Sequence, residues 1–269
     1  MSLERFSLNQ ATTKYWPLPD LAAGCAQAGV PGVGLWREEV AAYGVGKAAK
    51  LMHEYGLRVT SLCRGGFFSA EGWYDENRRA IDEAAALGAP ALVLVSGGLP
   101  AGSRDVDAAR AQVAEAIGRL VPHALDAGVR LAIEPLHPMY ASDRCVVSTL
   151  AQALDLAVPY PAEAVGVVVD TYHLWWDDQV WAQIERAGRE RRIACFQVAD
   201  WVTPLPEGVL LGRGLPGAGC VELRRFRAAV DAAGYTGPVE VEVFHAGVWA
   251  RPGREVLDEA LAGYLEHVV

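Results

Sequence analysis

Lysine is scarce in this chain: Lys14, Lys47 and Lys50 are the only three in 269 residues, so positive charge rests on arginine. The 24 basic side chains face 33 acidic ones, for a formal net charge of -9. Such a chain has no global attraction for a phosphate backbone, and nucleic-acid binding would require a local basic patch. The five cysteines, Cys25, Cys63, Cys145, Cys195 and Cys220, are widely spaced without a C-x-x-C pair. That speaks against a disulfide framework and a zinc knuckle. No apolar run reaches membrane-spanning length, and Met1 to Arg5 lacks the basic and apolar regions of a secretory signal, so a cytoplasmic protein without membrane partners is expected. A G-x-G-x-x-G after the first strand is also missing, which leaves a nucleotide-binding, doubly wound sheet unsupported.

What is present is ordinary for a globular protein: 52% hydrophobic and 21% charged residues, with 28 Gly and 15 Pro. One pattern recurs: an Ala-rich amphipathic stretch, a glycine, a few residues, then a short apolar run. Gly29, Gly56, Gly88, Gly128 and Gly234 sit at these joints, where a helix needs a left-handed residue just past its end. Between Arg104 and Ala127, apolar Val106, Ala109, Val113, Ile117, Leu120 and Ala124 recur every three or four residues, which predicts a helix.

The apolar runs are near-continuous, as in a parallel sheet covered by helices. Eight are found: Phe6 to Asn9, Gly32 to Trp36, Val59 to Cys63, Ala91 to Ser96, Arg130 to Ile133, Gly166 to Val169, Ile193 to Val198 and Val239 to Phe244. Eight βα units of about 34 residues predict a single α/β domain over residues 1–269, a (β/α)8 TIM barrel.

In such a barrel the chemistry sits at the C-terminal ends of the strands. Glu134, Asp170, Gln197 and Glu242 fall there, each after or within an apolar run. Three carboxylates converging on one rim would repel unless a cation lies between them. With an amide oxygen they make a hard donor set suited to Mn²⁺ or Mg²⁺. The competing explanation is four separate residues that pair with arginines or cap helices. Glu240 shares a face with Glu242 but lies deeper, and Asp200 competes with Gln197. His137 and His173 fall in loops over the same rim, where they could bind metal or substrate oxygens. His53, His123 and His267 are expected to be structural, and His245 is left open. Seven tryptophans, Trp175 among them, lie at or after strand ends, which suits ring faces packing on the C–H faces of a polyol, or else rim packing.

The segments LNQATT from Leu8, SLCRGGFF from Ser61, IEPLHPMY from Ile133, VVDTYHLWW from Val168, FQVADW from Phe196, GRGLPGAG from Gly212 and GYTGPVEVEVF from Gly234 carry a resemblance. In order and along nearly the whole chain, they resemble the xylose-isomerase-like TIM-barrel superfamily of sugar isomerases and epimerases, which shares its fold with endonuclease IV-type enzymes. The resemblance implies metal ligands at Glu134, Asp170, Gln197 and Glu242. The third is commonly His, although hydroxypyruvate-isomerase-like members carry Gln. Mn²⁺ or Mg²⁺ is the expected ion, with Zn²⁺ or Co²⁺ as alternatives. His173 and Arg213 match substrate-contacting positions; His137 and Trp175 are added as substrate-binding candidates.

The implied activity is isomerisation or epimerisation of a sugar or small keto-polyol, with Glu134 and Glu242 moving a proton next to a carbonyl through a metal-stabilised enediolate. An inosose-type dehydratase and a non-catalytic sugar-binding barrel are the alternatives. Nuclease activity is disfavoured, because Gly212 and Gly214 flank Arg213 where the endonuclease type carries Asp and His. Related enzymes often pair through loops, so a homo-oligomer is compatible by analogy. A phosphorylated substrate would need a cationic pocket, for which Arg64, Arg213 and Arg251 are candidates; otherwise a small neutral polyhydroxy carbonyl compound is expected.

Overall fold

A computed structural model describes residues 2–206 and 209–269. Eight parallel strands close into a barrel: β1 (Phe6–Asn9), β2 (Gly32–Trp36), β3 (Arg58–Gly66), β4 (Ala91–Val95), β5 (Arg130–Ile133), β6 (Val165–Asp170), β7 (Ile193–Val198) and β10 (Val239–Val241). Each pairs with its neighbour in chain order, and β1 closes the ring against β10 with Phe6 opposite Val239. Between β7 and β10, the short strands β8 (Asp200–Trp201) and β9 (Arg213–Gly214) form an antiparallel pair of their own. The barrel expected from the apolar runs is therefore present. Among the described residues no helix is long and apolar enough to cross a membrane.

The glycine joints behave as their chemistry requires. Gly29, Gly56, Gly88, Gly128 and Gly234 all have φ between 66° and 85°, the left-handed region that ends the preceding helix. The helix expected from Arg104 runs from Val106 to Ala127, because the Asp105 carboxylate accepts from the amides of Asp107 (3.1 Å) and Ala108 (2.9 Å) and so sets the start two residues later.

Two strand ends differ from expectation by three residues, whereas the other differences, in β3, β4 and β6, are of one residue. β3 continues to Gly66, past a register shift between Cys63 and Gly65, and the Asn77 amide side chain clasps the Gly66 N–H (2.6 Å) and C=O (2.8 Å). β10 stops at Val241 rather than Phe244. The Glu242 amide still bonds the Val198 carbonyl (3.1 Å), but the Val243 amide turns to the Thr12 hydroxyl (3.0 Å) and leaves the ladder. Glu242 thereby sits on the rim itself.

Inside the barrel, Cys63, Ala91, Val93, Ala132, Val168 and Cys195 form a small apolar cluster separate from the large core that includes the helices. Their sequence parity places them on the same faces as Glu134, Asp170 and Gln197. These small side chains leave room beneath the rim for larger polar ones.

Candidate active site

Glu134 is the first residue past β5, and its amide still bonds the Leu94 carbonyl (3.0 Å). Asp170 ends β6 and caps the short helix Thr171–Leu174, Oδ1 accepting from the Tyr172 amide (2.7 Å) while the buried Oδ2 has no hydrogen-bond partner. His173 lies on that same turn. Potential ligand atoms of Glu134, Asp170 and His173, all buried, lie within 4.8 Å of one another.

The other two expected ligands are present at the rim but engaged. Glu242 Oε2 accepts from Arg213 Nη1 (2.7 Å), and the same nitrogen stands 3.6 Å from Asp170 Oδ2. Gln197 is in register with both Asp170 and Glu240. Its Nε2 donates to Glu240 Oε1 (2.9 Å), which leaves the buried Oε1 without a partner. Glu240 is the deeper carboxylate: it also accepts from Asn9 (2.7 Å), Thr60 (2.8 Å) and Ser61 (2.9 Å). Saturated with donors, it orients the Gln197 amide and is not a free ligand.

Burial, then the charges of Glu242 and Asp170, push the Glu134 carboxyl well above the ordinary carboxylate range. Burial also raises Asp170, against the pull of Arg213. It pushes Glu242 up to about 7, again opposed by Arg213. Burial and Arg213 drive His173 well below the ordinary histidine value, so its ring is neutral. Two donors face that ring: the His137 amide at Nδ1 (3.2 Å) and Arg213 Nη2 at Nε2 (3.1 Å). A neutral imidazole has one acceptor nitrogen, so one of these contacts is a close approach rather than a hydrogen bond. Burial works against the charge on Arg213, but Glu242, Asp170 and Glu134 hold it cationic.

Among the described residues, three buried carboxylates thus gather around one arginine, and two buried oxygens, Asp170 Oδ2 and Gln197 Oε1, lack hydrogen-bond partners. This donor set fits a divalent cation.

Arg213 reaches the rim because β9 pairs with β8, Trp201 opposite Arg213, and the Arg213 amide bonds the Phe244 carbonyl (3.2 Å). Its guanidinium lies over the rings of Phe244 (4.6 Å) and Tyr172 (4.9 Å). Asp200, the sequence-level competitor of Gln197, instead braces the glycine-rich loop by accepting from the amides of Gly217 (3.0 Å) and Val221 (2.9 Å).

A cavity of about 130 Å³ opens over Glu134, His173, Arg213 and Glu242, with Trp36 and Phe244 on its wall. His137 and Trp175 are not among its lining residues. His137 packs between Trp176 and Trp201, and Trp175 packs on Trp201 (5.3 Å between centroids). Of the arginines considered, Arg64 and Arg213 line the cavity, whereas Arg251 pairs with Glu259 at 2.6 Å and does not. His245 caps the helix Ala246–Trp249, its Nδ1 accepting from the amides of Gly247 (3.0 Å) and Val248 (3.2 Å). The cavity also holds Cys63, whose Sγ lies 3.9 Å from Glu242 Oε1, together with Tyr140 and Arg144. Cys63 is legible as a strand-end position. Tyr140 closes the segment IEPLHPMY but is not singled out within it, and Arg144, in the irregular loop beyond, carries no sequence signal.

The chain belongs to the xylose isomerase-like TIM-barrel family, whose pattern matches residues 22–266. A crystal structure of a protein from Sinorhizobium meliloti 1021 is 44% identical, with 99% of each chain covered and a TM-score of 0.95. A structure of the IolI protein with a bound zinc atom is 19% identical, with 98% of each chain covered and a TM-score of 0.82, a likeness of fold. Among curated proteins, an inosose isomerase of Halalkalibacterium halodurans is 26% identical over 136 residues. That match spans 49% of this chain and 46% of the relative, less than half the length of either.

Proposed function

We propose that the protein is a divalent-metal-dependent isomerase or epimerase that moves a proton next to the carbonyl of a polyhydroxy compound. The observation that carries this is the shortage of positive charge at the rim: buried Glu134, Asp170 and Glu242 converge, and among the described residues Arg213, paired with Asp170 and Glu242, is the only arginine that pairs with any of them. Glu134, Asp170, Gln197 and Glu242 would hold the cation, with His173 in reach. The imidazole beside carboxylates suits Mn²⁺, Zn²⁺ or Co²⁺ as well as Mg²⁺. Bound there, the cation supplies Lewis-acid stabilisation of the negative charge that develops on the carbonyl oxygen.

The chain's own residues do the rest. Glu134 and Glu242 are the two carboxylates that can remove and return the proton. Burial pushes the Glu242 carboxyl up to about 7 without the cation, and beside a bound cation it returns toward the ionised form that removes a proton. Delivery to the neighbouring carbon isomerises; delivery to the opposite face of the same carbon epimerises. Arg213 fixes one Glu242 oxygen at 2.7 Å, which orients the other. Neutral His173 and cationic Arg213 hold the substrate's oxygens, and Trp36 packed against Phe244 (5.3 Å between centroids) limits water access. Similarity to an inosose isomerase and the fold shared with a zinc-binding protein support this proposal.

Glu134→Gln and Glu242→Gln test it. Each is expected to lower α-proton exchange on the best substrate of a ketose and keto-acid panel by on the order of a hundredfold or more, with the circular dichroism of the fold retained. Exchange at the wild-type rate in both variants would overturn the proposal.

A further inference from the structure

Two more guanidinium groups line the same cavity. Arg64 stands near the end of β3, and Arg144 lies in the loop after the turn Pro138–Tyr140. Both are poorly compensated. Among the described residues, the nearest carboxylate to Arg64 is Glu38 at 4.0 Å, with a side chain 64% exposed. For Arg144 it is the adjacent Asp143, also at 4.0 Å and 66% exposed. Among the described residues neither guanidinium has a close hydrogen-bonded carboxylate of the kind found for Arg213 or Arg37. Water screens both of these long contacts.

Both groups are also partly withdrawn from solvent, at 29% and 37% side-chain exposure, and Arg64 is stacked on Phe67 at 4.3 Å. Burial, together with the like charge of Arg144, pulls Arg64 below the ordinary arginine value, against the opposing pull of Glu38. Like charges gathered in a half-buried cleft, with only exposed carboxylates at 4.0 Å to offset them, form an anion site by elementary electrostatics. Glu134 on the cavity floor acts on Arg64 without an ion pair, and Arg213 and the proposed cation draw on the same charge.

We propose that Arg64 and Arg144 form a subsite for an anionic group, a carboxylate or a phosphate, carried by the substrate away from its reacting carbonyl. The inference rests on the proposed isomerase function and replaces the neutral substrate expected from composition with an acidic one. An adjoining chamber of about 270 Å³ shares Trp36, Arg64 and Phe244 with the first and provides space for the substituent. Lys14, Glu38 and Glu39 also line that chamber, so with Arg64 its own charges balance, and the excess positive charge lies where Arg64 and Arg144 share the first cavity.

The test uses Mn²⁺-loaded wild-type protein and the Arg64→Gln, Arg144→Gln and double variants. Calorimetry reads the binding of three non-reacting probes: D-gluconate, D-glucitol phosphate and neutral D-glucitol. At least one anion is expected to bind about tenfold or more tighter than glucitol, with each single variant losing part of that preference and the double variant all of it. Which anion is favoured tells carboxylate from phosphate. Equal binding of anions and glucitol, no binding of either anion, or a preference that survives in the double variant each overturns the subsite. Proton exchange is measured in parallel. Exchange with a neutral ketose and no anion preference contradicts the subsite alone, whereas arginine-dependent anion binding without exchange on any substrate contradicts the isomerase proposal alone.

Discussion

Glu242 shows how the rim stores unfavourable charge. Its carboxyl is pushed from an ordinary 4.5 to about 7 by burial, against the pull of Arg213. A carboxyl raised on folding binds more protons in the native state than in the unfolded one between those values, so stability falls as pH rises. The contribution is fully present below about pH 4.5 and lost through about pH 7, on the order of 3 kcal/mol for this group. Metal-free protein is therefore expected to melt at a lower temperature at about pH 8 than at about pH 5.5, with Mn²⁺ raising the midpoint more at the higher pH. Melts in chelator and in Mn²⁺ check this; a metal-free midpoint that rises across the interval contradicts it. Glu240, two residues earlier, is as buried but is satisfied by side-chain donors and serves to aim Gln197.

At the scale of elements, glycines of similar conformation do different work. Gly29 has φ 71° with nothing within 4 Å of an added Cβ, so Gly29→Ala meets only the backbone penalty, about 1 kcal/mol. Gly66 has φ 104°, and a Cβ there would lie 1.9 Å from the Val95 carbonyl oxygen. Gly66→Ala must move β3 against β4 and is expected to cost about 3 kcal/mol or more. Chemical denaturation of both variants measures the contrast, and equal losses would contradict it. The joints were legible in the sequence because helix termination by glycine is local chemistry. Some strand ends were less so: β3 outruns its apolar stretch because Asn77, a residue of the next helix, holds it, and β10 ends early because the Thr12 hydroxyl intercepts an amide. Glu134, Asp170, Gln197 and Glu242 could be picked out because each polar side chain interrupts or ends an apolar run. The pairing of Gln197 with Glu240 and of Arg213 with Glu242 could not, since those partners come from strands that meet only when the barrel closes. Arg64 and Arg144, 80 positions apart in the numbering, meet for the same reason.

For the whole molecule, barrel closure turns a modest excess of acid into a concentrated one. The net charge of -9 is spread over the chain, yet three carboxylates are buried at one rim, where among the described residues only Arg213 offers an ion pair, to Asp170 and Glu242. A fold that gathers like charges in a site with little water stabilises them only by adding a cation or holding protons. The protein is accordingly expected to carry about one divalent ion per chain and to exchange the α-proton of its substrate only when that ion is present. The most direct measurement is deuterium incorporation in D₂O over a ketose and keto-acid panel, on protein of known metal content. Chelation should abolish the exchange and Mn²⁺ restore it; undiminished exchange in metal-free protein would contradict the account.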